Sequence, residues 1–208
     1  MMHKGDEHEN GTIPALADGA KKPSIVLVHG AFADGSSWAK VIPILQAKGY
    51  RVTAVQNPLT SFADDVAATK RALAQQEGPV ILVGHSWAGV VITEAGTDPK
   101  VVGLVYIAAF APDQGEAVGD LGKPYPPPPA LAAPIVDKEG FLSLSTEAVV
   151  KHFASDLPAA EARVLAATQG PISGSAFGAQ VLSQPKAVAA VILDAAAKAP
   201  VAGTSASG

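Results

Sequence analysis

The stretch Val83-Gly84-His85-Ser86-Trp87-Ala88-Gly89 sets a serine among small residues, between the apolar runs Val80–Val83 and Val90–Ile92. A strand, a tight turn carrying serine and a helix together make a nucleophile elbow, in which a strained turn exposes the hydroxyl. Such a turn needs small residues two positions before and after the serine, and Gly84 and Ala88 supply them. A serine there also sits at a helix N-terminus, where free N–H groups and the helix dipole favour a developing oxyanion. The chemistry would be attack of the Ser86 hydroxyl on a carbonyl carbon. The plainer alternative is a serine that only caps the helix; its place directly after a buried strand favours the elbow.

Acyl transfer also needs two oxyanion donors and a base. The residue after the serine, Trp87, offers one backbone N–H. The small residues of His29-Gly30-Ala31-Phe32 follow the first apolar run, and Ala31 offers the other. The base is harder to find among five histidines. His3 and His8 lie in a polar N-terminal stretch. His29 and His85 adjoin the oxyanion elements, where packing with a satisfied imidazole is the expected role. His152, in Lys151-His152-Phe153, is the candidate base, although an exposed helix position is its plain reading. Asp113, after the fourth apolar run, is the candidate acid, ahead of Glu116.

The elements that position these residues alternate. Strands are expected over residues 24–28, 51–55, 80–83 and 101–109. A helix capped by Ser36 or Ser37 should place Trp38, Val41, Ile42 and Leu45 on one face and stop at Gly49. Ser61 opens a second helix with Phe62, Val66, Thr69 and Leu73 at helical spacing, and a third runs from Ser86 to Gly96. Strict alternation implies an α/β fold with a parallel sheet and helices on both faces. Ligands of such sheets bind beyond the carboxyl ends of the strands, where both motifs fall.

From Asp113 the pattern changes. Residues 124–134 hold six prolines, which rule out a strand core, and helical pieces come after them near 146–153 and 158–168. Residues 113–170 read as a cap over the strand ends. An alanine-rich helix is expected over 185–198. The domain plan is a flexible tail at 1–22, one domain at 23–198 and a flexible tail at 199–208.

The segments VLVHGAFADGSSW, YRVTAV, VILVGHSWAGVVI and LVYIAAFAPDQGE resemble the α/β-hydrolase superfamily. They look most like its small esterase group, with plant methyl esterases and hydroxynitrile lyases. The resemblance runs from about 24 to 181. It implies Ser86 as nucleophile, the Ala31 and Trp87 amides as oxyanion hole, and a cap after the fourth strand. In that family an acid follows a strand after the cap, and the histidine precedes the last helix. Here Leu182-Ser183-Gln184-Pro185 resembles the segment directly after that histidine, and no histidine comes after His152. A βαβ unit needs roughly 30 residues, and none fits between Val181 and the terminal helix. The resemblance therefore implies a sheet truncated at its C-terminal edge, without the segment that carries the family's acid and base.

These residues are consistent with three readings. One is a serine esterase of small carboxylic esters, weakly active for want of a base. Another is a catalytically impaired relative that binds a small ligand or a partner. A lyase in the same pocket is the third. Loss of a segment from the source sequence would also account for the missing acid and histidine. No metal or organic cofactor is implied. A nucleotide site is excluded, since HGAFADGSSW has neither the dinucleotide glycine pattern nor the phosphate-loop lysine. The net charge of −4, without a basic block, argues against nucleic acid and anionic membranes. The absence of cysteine removes disulfides and thiol catalysis. No apolar run reaches the roughly 18 residues that a membrane span needs, and the N-terminus lacks an apolar signal core, so a cytoplasmic location is expected. A truncated sheet would leave strand 101–109 as an apolar edge, covered by residues 175–181 or by a second copy of the chain.

Overall fold

In the computed structural model, residues 22–182 are described. The terminal stretches, including His3, His8 and the alanine-rich segment at 185–198, lie outside them, and the expected junction after Val181 falls at their edge. The central sheet has four parallel strands: β1 Ser24–Val28, β2 Val52–Val55, β3 Val80–His85 and β4 Val101–Ile107, in the order β2-β1-β3-β4. The chain runs from β1 outward to β2, then returns to the other side of β1 for β3. The order therefore reverses between β1 and β3. The loops that carry Ala31 and Ser86 leave the carboxyl ends of these two strands and flank the crevice that such a reversal opens.

Strand alternation divides the core. Val26 and Val28 of β1 point into one apolar cluster with Leu82, Val91 and Ile92. Ile25 and Leu27 point the other way, to Trp38 and Val83. Helices α2 Phe62–Ala74 and α3 Ala88–Ala95 bury their apolar residues in the first cluster. Helix α1, Ile42–Ala47, meets the second through Ile42 and Leu45. Both faces of the sheet are thus covered, which is why β1 reads as an uninterrupted apolar run.

The first helix differs from its expectation. It is a 3₁₀ turn, Gly35–Trp38, followed by the separate α1. The cap is Asp34, whose carboxylate accepts the Ser36 amide at 2.6 Å, and not Ser36 or Ser37. Pro43, in the first turn of α1, explains the break: it has no N–H for a preceding turn to use and is tolerated only where a helix begins. Ser61 does cap α2, accepting the Asp64 amide at 3.1 Å.

Beyond β4 the chain forms α4 Val118–Gly122 and a 3₁₀ turn at Pro129–Leu131 inside the proline run. A small antiparallel sheet of β5 Ile135–Val136, β6 Phe141–Ser143 and β7 Ile172–Ser173 comes next, which the sequence pattern did not reveal. Its strands of two or three residues are too short to show a periodicity. Between β6 and β7, helix α5 Thr146–Ala148 runs into a π-turn, Val149–Phe153, and α6 spans Ala159–Thr168.

Among the described residues, β4 pairs only with β3 and is a sheet edge. Val102, Val105 and Ile107 are exposed there. Residues 175–181 do not cover it. Val181 instead exchanges backbone hydrogen bonds with Gly115 and Glu116, at 2.8 and 3.1 Å.

One contact fixes how α3 meets the chain leaving β4. A Cβ on Gly89 would lie 1.9 Å from the Phe110 carbonyl oxygen. Backbone faces backbone there, so neither side can yield cheaply. Gly89→Ala is therefore expected to destabilise the fold by about 2–3 kcal/mol, measured by urea denaturation. An unchanged midpoint would show that the two backbones are not in contact in solution.

Candidate active site

Ser86 stands on the turn between β3 and α3 with φ of +53°. A residue with a Cβ seldom adopts this left-handed conformation, and where it does the surroundings hold it. Here three backbone bonds hold it. The Ser86 amide donates to Ile107 O at 3.3 Å, and its carbonyl accepts the Gly89 and Phe110 amides at 3.0 and 3.2 Å. The elbow is thereby tied to α3 on one side and to the end of β4 on the other. The need for a small residue at position 84 is visible in the packing, since a Cβ on Gly84 would fall 2.8 Å from the Ala88 carbonyl oxygen.

The loop after β1 passes directly over this turn. A Cβ on Gly30 would sit 3.0 Å from both the Ser86 Cβ and the His85 carbonyl oxygen. That approach brings Ala31 to the serine, and the two line one pocket together with Trp87. Among the described residues, neither the Ala31 nor the Trp87 backbone N–H has a hydrogen-bond partner. Two free amides and a hydroxyl thus share one pocket, as acyl transfer requires.

The cavity measures about 1050 Å³. Its walls are mostly apolar: Phe110, Val118, Leu121, Tyr125, Leu131 and Phe177 among them. Most of these come from the segment between β4 and α5, so the proline-rich stretch does lie over the serine. The ring edge of Phe153 meets Phe32, with centroids 6.4 Å apart, which joins the π-turn to the loop after β1.

The histidines separate by environment. His29 is buried; its Nδ1–H donates to the Gly30 carbonyl at 2.9 Å, and its Nε2 accepts the Asn57 amide at 2.9 Å. Both nitrogens are occupied, so it is a satisfied imidazole that braces the loop after β1. His85 meets the edge of Trp38, its ring centroid 6.5 Å away. Burial lowers the proton affinity of both. His152 is an exposed residue of the π-turn, yet it lines the pocket with Ser86. Asp113 is exposed and outside the pocket lining; its own amide donates to Glu116 Oε2 at 2.7 Å. The structure therefore brings together Ser86, Ala31, Trp87 and His152, and leaves Asp113 apart. Among the described residues, no group of three or more His, Asp or Glu side chains could hold a metal ion.

One buried group carries no signal in the serine motif. Asp65, on α2, accepts the Trp87 indole N–H at 2.8 Å and the Leu59 amide at 2.8 Å. It lies at helical spacing from Phe62, Thr69 and Leu73, and is buried with the residues that face the core. An acid on an apolar stripe is the sign that marks it.

A profile of the alpha/beta hydrolase family matches residues 25–202. The chain belongs to that family. It is 32% identical over 109 residues to an alpha-hydroxynitrile lyase of Arabidopsis thaliana, covering 45% of this chain and 42% of that one. It is 36% identical over 98 residues to a pyrethroid hydrolase of Sphingobium wenxiniae, covering 41% of this chain and 35% of the relative. A carbendazim hydrolyzing esterase of Nocardioides is 32% identical over 127 residues, with 54% and 52% covered. The chain thus spans roughly half or less of the length of these curated relatives. Among solved structures, a pyrethroid hydrolase from Sphingobium faniae superposes with a TM-score of 0.65 at 26% identity, covering 80% of this chain and 74% of that one. A polyneuridine aldehyde esterase shares the fold at 20% identity, with a TM-score of 0.67 and 82% and 78% covered.

The His29 geometry predicts a pH effect on stability. Burial favours neutral His29, so the unfolded chain binds a proton below about pH 6.5 that the folded chain still refuses. The stability held by neutral His29 is complete above that pH and is lost as pH falls toward the lowered folded-state pKa. His85 acts in the same direction. In urea unfolding between pH 7.5 and 5.5, the loss of stability should be smaller in His29→Gln, whose side-chain oxygen can still accept the Asn57 amide. Equal losses in both proteins would mean that His29 is not the buried titrating group.

Proposed function

We propose that the chain is a serine esterase acting on a small, largely apolar carboxylic ester. The observation that carries this reading is the shared pocket, with Ser86 at a strained turn and the Ala31 and Trp87 amides free beside it. Ser86 Oγ would attack the ester carbonyl and lose its proton to the acceptor, and the two amides would take the oxyanion. The alcohol would leave carrying that proton as the intermediate collapses to an acyl-serine. Water would then cleave the acyl-serine to release the acid and restore the hydroxyl. His152 is the histidine that shares the pocket, and it is the proposed proton acceptor. With no acid among the described residues that line the pocket to orient it, its contribution is small and turnover is slow. No metal or organic cofactor enters this scheme, and the apolar walls suit a small ester rather than a nucleic acid or a membrane surface.

One observation favours the second reading, an impaired relative that binds a ligand in the same pocket. Among the described residues, the Ser86 hydroxyl has no hydrogen-bond partner. The two readings separate on an activated short-chain ester and a fluorophosphonate probe. The esterase reading expects covalent labelling that Ser86→Ala abolishes, and slow hydrolysis that His152→Gln lowers by a further tenfold or so. Equal residual rates in the native chain and both variants, without labelling, would leave ligand binding as the function.

The edge strand adds an expectation about assembly. β4 is seven residues long, uncharged and free of proline. Two copies could pair their β4 edges antiparallel without opposing like charges. Light scattering should show a mass that rises with concentration, and Val105→Lys should hold the chain monomeric. A concentration-independent monomer in the native chain would overturn self-association.

A further inference from the structure

We propose that Asp65 is the positioning residue of the oxyanion donor: through the Trp87 indole it holds the Trp87 backbone N–H aimed into the pocket beside Ser86. The inference rests on the esterase reading of that pocket and deepens it. Asp65 is wholly buried. Its two oxygens divide their work, Oδ2 accepting the indole N–H and Oδ1 the Leu59 amide, each at 2.8 Å. Among the described residues no cation pairs with it. A buried carboxylate held only by neutral donors destabilises a core, and an apolar residue would pack there more favourably. Its contacts with Trp87 and Leu59 give it a positioning role that an apolar residue could not fill.

Trp87 directly follows the strained Ser86, and its amide direction fixes where an oxyanion would bind. Backbone bonds hold Ser86 itself. Trp87 has one such bond, its carbonyl accepting the Val90 amide at 3.1 Å, and its side chain is only 1% exposed and packed edge-on against Phe62 and Phe177. Ring-edge contacts set a plane but permit sliding. The hydrogen bond to Asp65 gives the indole a directional anchor, from a helix 22 residues away in sequence, alongside the Val90 amide that the Trp87 carbonyl accepts. The same carboxylate stiffens a second strained point. Leu59 has φ of +59°, its amide is held by Asp65, and its carbonyl accepts the Ser173 amide of β7 at 2.9 Å. One buried group thus ties Trp87 of the elbow to the loop before α2, whose Leu59 in turn bonds to β7.

The test reads Trp87 directly and needs no turnover. The chain holds two tryptophans, so an ¹⁵N–¹H spectrum resolves two indole signals. The Trp38 indole has no partner among the described residues and serves as the internal reference. Butyrate, a carboxylate that can place an oxygen between the two amides, is titrated while the Trp87 backbone amide is followed. In Asp65→Asn the Trp87 indole signal should move upfield while that of Trp38 stays, and the butyrate dissociation constant should rise about tenfold, the worth of one well-placed hydrogen bond. Trp87→Phe keeps the ring contacts and removes the indole N–H; it should weaken butyrate to a similar degree, and the double variant no further. It also carries the test alone should Asp65→Asn fail to fold. An unmoved indole signal in Asp65→Asn, or unchanged butyrate affinity in either variant, would overturn the assignment. Failure of the native chain to react with fluorophosphonate, with these butyrate effects intact, would sink serine catalysis while leaving the positioning role standing. Absence of butyrate binding to the native chain would overturn both.

Discussion

The turn at Ser86 holds a residue with a Cβ in a backbone region that glycine normally occupies, and the surrounding architecture keeps it there. β3 delivers the chain into the turn from within the sheet, flanked by β1 and β4. α3 begins immediately after it, and its first residues pack so closely on the chain leaving β4 that only glycine fits at position 89. The Ser86 carbonyl is bonded to both neighbours at once. Strain of this kind, of order 1–3 kcal/mol, persists only when several independent contacts fix the same residue.

A similar constraint governs the polar groups beneath the pocket. His29 and Asp65 are both buried; His29 is paired with a backbone carbonyl and a backbone amide, and Asp65 accepts from a backbone amide and an indole N–H. His29 braces the loop that carries Ala31; Asp65 braces the side chain of Trp87. The two amides that could stabilise an oxyanion are therefore each backed by a buried polar residue on a different element. Burial pushes the Asp65 carboxyl up toward its neutral form, against the two N–H donors that favour the anion.

Above the strand ends the character is reversed. The pocket walls are apolar, built from proline-rich and aromatic residues, and His152 is the histidine among them. It stands on a π-turn, a local geometry often retained where a side chain must be aimed. Among the described residues that line the pocket, no acid is present to orient it. The contrast between a tightly held turn below and an apolar cavity carrying one exposed histidine above is the main physical feature of this member of the alpha/beta hydrolase family.

The amino-acid sequence by itself determined the elements whose signal is local. Runs of β-branched residues marked the four parallel strands, small residues around Ser86 marked the elbow, and Ser61 marked the start of α2, because these patterns depend on neighbours within one turn or one pleat. The break at Pro43 was local too, but the spacing of Trp38, Ile42 and Leu45 outweighed it, since those residues do share one cluster despite lying on two separate turns. Only the tertiary structure could decide the rest. Strand β7 exists through pairing with β6 across 30 or more residues, and which donors meet the Asp65 carboxylate is visible only once Trp87 and Leu59 are placed beside it. Likewise His152 looks like a surface residue in the sequence, and enters the pocket only because the segment after β4 folds back over the strand ends. Periodicity encodes which face of an element is buried; which groups from distant elements meet there depends on packing, and packing has no signature within a short window of sequence.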